Sequence, residues 1–390
     1  MPSAPPLFTR SFIVICLATF FFYLGFYLIL AALPLYLAAM GGTSFQIGMI
    51  VGVFSFMAMF FRLPAGWIID ARGCWSVLLA GIAIFMLASP GYIIVRSFPA
   101  VMALRLFHGI GMGLFPTAAT VVVAEVAPAL RRGEAMGWFG IANSAGLIIG
   151  PVLGTGIASG LGFPALFLTA GAIALLGLVC LWFLPRIERA AKTNRFPRPQ
   201  DFFSRAAVLP SLLLFSLYVP YGLMSAFIPI LATCRGLVNP GMYFTVFALA
   251  VLVIRAQAGY VSDRRGRAAV IIPGLAAAGV AFAILGLTSD RLWLLVGAAV
   301  YGLGFGAAHP ALMALTADRV PLEERGKAMG TFYVAWEVGI TAGSMGAGLL
   351  LEVTGFPVTL LLCSVIPLLG AMLAFRARPV NDLPAQQVGS

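Results

Sequence analysis

The chain has 390 residues, of which 61% are hydrophobic and 9% charged, with a formal net charge of +11. That is too little polar surface for a soluble enzyme, and the alternating segments of about ten residues that build an outer-membrane barrel are missing. Apolar runs of about 20 residues recur throughout, each able to cross roughly 30 Å of hydrocarbon as a helix; the expectation is an all-α polytopic membrane protein, its positive charge a matter of topology and not of nucleic-acid binding.

In chain order the spans are expected at 11–39, 45–69, 75–95, 98–125, 135–158, 163–185, 207–233, 241–262, 268–288, 292–317, 327–351 and 356–376. The first apolar run is too long for a signal-peptide core and reads as the first spanning helix. Glycine and short polar turns separate the spans, as at Gly41-Gly42 and Asp70 to Gly73. Residues 186–206 hold Arg186, Arg189, Lys192, Arg195, Arg198 and Arg205 and read as a cytoplasmic linker. The expected organisation is a six-helix bundle over 1–185, this linker, a second bundle over 207–378 and a tail over 379–390. Five scattered cysteines form neither a disulfide framework nor a metal motif.

With the N-terminus inside, cytoplasmic segments hold 18 Lys and Arg against 3 outside, and an even number of spans returns the C-terminus to the cytoplasm. Arg62, Arg105 and Arg255 lie within spans.

An internal repeat organises the chain. An offset of 259 − 66 = 193 carries Gly66 to Gly259, Arg62 to Arg255, Asp70 to Asp263, Arg72 to Arg265, Gly73 to Gly266, Gly109 to Gly302, Pro128 to Pro321 and Arg132 to Arg325. Six spans per copy keep both copies in one orientation, so the halves are parallel repeats, an arrangement found among secondary transporters.

The turn Gly66-Trp-Ile-Ile-Asp70-Ala-Arg72-Gly73 and its fuller copy GYVSDRRGR, from Gly259 to Arg267, resemble the signature loop of the major facilitator superfamily. The first loop departs from that pattern at Cys74-Trp75, where a basic residue is usual. The resemblance covers nearly the whole chain and implies a twelve-helix transporter. It also implies that these loops latch the cytoplasmic side, with Glu125 a partner for Arg72 and Asp318 a partner for Arg265. Ordinary solvated turn chemistry is the plainer alternative.

Gly146-x-x-x-Gly150-Pro151-x-x-Gly154 resembles the fifth-span motif of the family's antiporter branch, which lies at the contact with span 8 and points to export. Thr155 stands where a further glycine is common, and generic small-residue packing is the plainer reading. Arg105 sits in a pattern resembling the family's fourth-span motif, where the arginine faces the cavity and takes part in proton coupling; snorkelling to the interface is the alternative. Glu337 is an acid well inside a span, with the properties either of a proton carrier or of a structural pair. His108 and His309 could titrate or could hydrogen-bond within helix interfaces. Tyr27, Trp138, Asn143, Tyr221 and Trp336 are candidates for lining a substrate cavity.

These features point to proton-coupled export of a small organic molecule, a drug or metabolite, across the inner membrane by a monomer; an uptake symporter or uniporter of the same fold is the alternative. Nucleotide-binding loops and catalytic constellations are absent from the sequence, so no cofactor is expected and the proton gradient is the energy source.

Overall fold

The computed structural model describes residues 6–128, 131–185, 203–321 and 324–377. The linker cations from Arg186 to Arg198, Arg378 and the tail 379–390 lie outside the described residues. Among the described residues eleven helices are long and apolar enough to cross a membrane. They are α1 Arg10–Ala39, α2 Ser44–Arg72, α3 Cys74–Ile94, α4 Phe98–Val126, α5 Arg132–Leu161, α6 Phe163–Trp182, α7 Val208–Cys234, α8 Met242–Arg265, α9 Ala268–Leu287, α10 Arg291–Asp318 and α11 Arg325–Arg376.

The count differs from the twelve expected because α11 runs 52 residues through the predicted turn between spans 11 and 12. It is two helices meeting at a kink, where Gly355 leaves the helical region with φ 71° and ψ 177°. Gly162, which separates α5 from α6, has nearly the same backbone at φ 86° and ψ 167°. The two glycines are 355 − 162 = 193 residues apart, so the repeat extends to the helix ends. Thr43 and Gln46 close a reciprocal capping box at the start of α2, and Thr9 and Asp290 cap α1 and α10.

The chain forms two compact units. One comprises Met1–Pro197 with Ser225–Thr233 and Val238–Thr245; the other comprises Arg198–Met224, Cys234–Leu237 and Val246–Ser390. Val238–Thr245 falls in the first unit, where it bonds α5. The Thr245 hydroxyl donates to the Ile148 carbonyl of α5 at 2.6 Å, and the Asn239 amide donates to the Val152 carbonyl at 3.0 Å.

In the first unit α1 packs on α5 and α6, α4 on α2 and α3, and α3 on α6. Small residues set these contacts, since close backbone approach is a main source of affinity between helices in lipid. Gly109 and Gly113 press against the backbone of α2 at Phe54 and Ala58, and Gly111 against Gly81 of α3. The second unit repeats the pattern at the same offset: Gly302 and Gly306 press on α8 at Phe247 and Val251, and Gly304 on Gly274 of α9.

Candidate functional site

The Asp-turn loops close α2 and α8. Gly73 (φ 87°) and Gly266 (φ 86°) both occupy the left-handed half of backbone space, which glycine enters at little cost. Reversing the chain there brings residue 267 back toward α10. Arg267 Nη1 donates to Asp263 Oδ1 at 2.5 Å and to Ser262 Oγ at 3.1 Å, while its Nε donates to Asp318 Oδ2 at 2.9 Å. Partial burial works against the charge on Arg267, and its bonds to Asp318 and Asp263 outweigh that, raising its pKa. Arg265, the expected partner of Asp318, is exposed one residue before the turn and does not pair with it.

The first unit differs at the same place. Arg72 is exposed and forms no ion pair among the described residues, so its expected pairing with Glu125 is not made. Glu125 lies against a thiol among its contacts, with Cys74 Sγ 3.9 Å from Glu125 Oε2. Asp70 and Glu125 share a cavity of about 630 Å³ with Gly66, Thr120, Arg132 and Met136. Arg132, the repeat counterpart of Arg325, thus lines the same cavity as both acids. A Cβ on either Gly66 or Gly259 would meet nothing within 4 Å, so both signature glycines face open space.

Deeper in the first unit, Arg105 is buried to 1% exposure, with its guanidinium carbon 4.1 Å from the Phe54 ring centroid. Burial this deep argues against snorkelling. Its Nε and Nη1 have no hydrogen-bond partner, and no carboxylate pairs with it among the described residues. The Tyr92 hydroxyl lies within its hydrogen-bonding reach, and the same hydroxyl is 3.1 Å from His108 Nδ1. His108 Nε2 is buried and unpartnered, with the Phe85 ring 4.0 Å away, centroid to centroid. Arg105 and His108 therefore belong to one cluster, completed by Tyr92, whose part in it has no sequence signature.

The proposed cavity residues of the first unit separate into two places. The Tyr27 hydroxyl donates to Asn143 Oδ1 at 3.0 Å, bringing that pair together. Trp138 does not join them. It is 44% exposed and lines an apolar groove with Phe8, Phe12 and Cys16. Five residues along a helix is about 140° of rotation, so Trp138 and Asn143 leave α5 in different directions.

In the second unit the aromatic candidates converge on His309. The Trp336 ring lies 5.2 Å from it and Tyr218 5.7 Å, and these two rings stack on each other at 4.7 Å. Tyr221 touches Tyr218 at 5.6 Å, and Phe305 and Phe332 complete the surround of His309. Arg255 is within electrostatic reach of His309. Glu337, next to Trp336, is 4% exposed.

On α5 the glycine line lies against α1. Gly146 meets Tyr23 and Leu24, Gly150 meets Tyr27 and Leu24, and Gly154 meets the Leu28 backbone. The copy repeats this, with Gly339 against Tyr218 and Gly343 against Val219. Thr155, which departs from the family pattern, is a hub. Its Oγ1 lies 2.8 Å from the Pro151 carbonyl and 2.6 Å from Asn239 Oδ1, and accepts from the Gly241 N–H at 3.3 Å. The Asn-Pro-Gly run at 239–241 is legible in the sequence as a turn, but not as the partner of Pro151 and Thr155.

Comparison with known proteins places this geometry in context. The Major Facilitator Superfamily model matches residues 15–237 and 238–389. The chain is 23% identical over 366 residues to an uncharacterized MFS-type transporter of Methanocaldococcus jannaschii, covering 89% of this chain and 92% of the relative. It is 24% identical over 378 residues to the uncharacterized MFS-type transporter YhhS of Escherichia coli, with 93% and 91% covered. Among solved structures, a POT family transporter in complex with 5-aminolevulinic acid superposes with a TM-score of 0.82 at 13% identity, covering 95% of this chain and 96% of that one. The nucleoside transporter NupG superposes with a TM-score of 0.75 at 15% identity, covering 94% and 99%. Since the family match spans both repeats and nearly all of the described helices, the chain belongs to the Major Facilitator Superfamily and is a multi-pass membrane transporter, not an enzyme.

Proposed function

We propose that the protein is a proton-coupled antiporter that exports a small organic molecule by alternating access, as a monomer in the cell membrane with both termini cytoplasmic. The direction rests on one observation. Gly146, Gly150 and Gly154 lie on the α1 backbone, with Pro151 held at the Asn239–Gly241 turn. The resemblance to the antiporter motif implies a contact with span 8, and it is the Ile148 carbonyl, bonded by Thr245 of α8, together with Pro151, that supports it, while the glycines lie on α1. The kink at Gly355, matched by Gly162, supports twelve crossings in two six-helix repeats.

Coupling is assigned to Arg105 and Glu337. A guanidinium at 1% exposure with no carboxylate partner is costly in a membrane protein, and such groups mark ion pathways more often than they serve packing. Glu337, at 4% exposure in α11, is a carboxyl group well inside a span, the kind of side chain that serves proton relays in transporters.

The test is export from proteoliposomes under an imposed pH gradient. Efflux that collapses with a protonophore, and a Glu337→Gln variant that keeps substrate exchange while losing proton drive, is the expected result. Efflux indifferent to the gradient in the unmutated protein overturns the reading.

A further inference from the structure

Four side chains of the second unit come to one depth. Tyr218 is ten residues from the Val208 start of α7, and Arg255 is ten from the Arg265 end of α8. His309 is nine from the Asp318 end of α10, and Trp336 eleven from the Arg325 start of α11. At 1.5 Å per residue each lies roughly 14–17 Å along its helix, about half of a hydrocarbon core.

All four distances are measured from the same end of the unit. Arg267, at the turn after α8, bonds Asp318 at the end of α10. Ala207, Val320 and Ala328, at the adjoining ends of α7, α10 and α11, form one buried cluster. The Ser204 N–H, just before α7, donates to Thr331 Oγ1 in the second turn of α11 at 2.9 Å.

Arg255 is the exceptional member of this layer. It is exposed, it forms no ion pair or hydrogen bond among the described residues, and a depth of about ten residues is too great for its head to escape along the helix. A free guanidinium at this depth is sustained by a water-filled space or by a ligand. His309, within electrostatic reach of Arg255, adds an unpartnered buried Nε2. Trp336, partly exposed and backed by the buried Tyr218 ring stacked on it at 4.7 Å, supplies a flat aromatic face. Glu337 does not pair with Arg255, and one residue of rotation, about 100°, carries it off the Trp336 face.

We infer that Arg255, His309, Tyr218 and Trp336 form a substrate site that takes a planar organic anion, an aromatic carboxylate. Guanidinium matches carboxylate with two parallel bonds, and the indole ring, held in place by the Tyr218 ring behind it, stacks on the ligand's ring. The anion binds as such, with no bond made or broken. The assignment rests on the transporter reading above and adds the substrate class.

The test is binding to the purified full-length chain in nanodiscs, by calorimetry, with benzoate, naphthoate, benzyl alcohol, benzylammonium and sulfate as probes. The aromatic carboxylates are expected to bind at least about tenfold more tightly than the neutral, cationic or inorganic probes, the difference one charged bond makes. Arg255→Gln is expected to remove that preference and Arg255→Lys to keep part of it, while Trp336→Leu weakens naphthoate and leaves sulfate unchanged. The comparison among probes on the unmutated protein needs no variant to fold, and thermal unfolding without probe identifies any variant that does not. Benzylammonium binding as tightly as the carboxylates, no carboxylate binding, or Arg255→Gln binding like the unmutated protein overturns the assignment. Anion binding without proton-driven efflux sinks the antiport reading alone, whereas proton-driven efflux restricted to cations sinks the anion site alone.

Discussion

Cys74 and Arg267 hold the same place in the two repeats, 267 − 74 = 193 residues apart, and each faces the carboxylate at the end of the facing helix. The thiol reaches Glu125 at 3.9 Å, where the guanidinium bonds Asp318 at 2.9 Å. At this position one repeat thus places a charged donor on the carboxylate and the other a thiol, the weaker donor.

The first prediction concerns that asymmetry. Arg267 is half-buried and bonds two acids, so Arg267→Ala is expected to destabilise the purified protein by about 1 kcal/mol, near the upper end for exposed pairs. Cys74→Ala is expected to cost less. Thermal unfolding in detergent at low and high salt measures both, and the Arg267 effect shrinks as salt rises. Equal, salt-independent losses would show that Arg267 contributes packing and not charge.

Arg105 offers a second prediction. Its guanidinium lies over Phe54 with Tyr92 in reach, a planar arrangement that an ammonium cannot reproduce. Arg105→Lys is therefore expected to lower proton-driven transport by about tenfold or more. Tyr92→Phe is expected to cost less, since it keeps the guanidinium over Phe54 and removes only the hydroxyl shared by Arg105 and His108. Proton-driven flux and substrate exchange in the same proteoliposomes separate the outcomes. A variant losing both alike points to misfolding, while loss of the driven flux alone supports coupling.

The third prediction uses glycines as their own controls. A Cβ at Gly154 would run into the Leu28 backbone, so Gly154→Ala is expected to cost about 1–3 kcal/mol through overpacking. Gly137, in the same helix, has nothing within 4 Å of its Cβ position. Gly137→Ala is expected to stabilise by about 0.5–1 kcal/mol, because alanine is the better helix former. Denaturation midpoints of the two variants should shift in opposite directions.

A fourth prediction addresses Thr155. Thr155→Val keeps the shape of the side chain and removes the oxygen shared by Pro151, Asn239 and Gly241. The expected loss is about 1–3 kcal/mol, with faster hydrogen exchange at the Gly241 amide. Unchanged exchange at that amide would mean that Asn239 Oδ1, at 2.9 Å, suffices for it.

The repeat was the most legible part of the chain because both copies preserve the glycines that fix helix contacts and turns. The offset found from Gly66 and Gly259 also relates Gly111 to Gly304 and Gly162 to Gly355. Side-chain partners were less legible. Nothing in the run Arg264, Arg265, Arg267 says which cation meets Asp318; the positive φ of Gly266 decides it by turning the chain after Arg265. Asn143 and Trp138 were both plausible cavity residues, and helical phase separated them. The ring of aromatics around His309 draws on α7, α10 and α11, so no local pattern could have revealed it.

Gly241 meets Pro151 so closely that any Cβ there would land on the Pro151 carbonyl. Residue 241 thus behaves as a doorstop of zero thickness. A graded series of Ala, Val and Leu at this position would insert wedges of increasing size against α5. Each would push the Asn239–Gly241 turn further from Pro151, converting a steric dimension into a graded loss of the bonds Thr155 makes there.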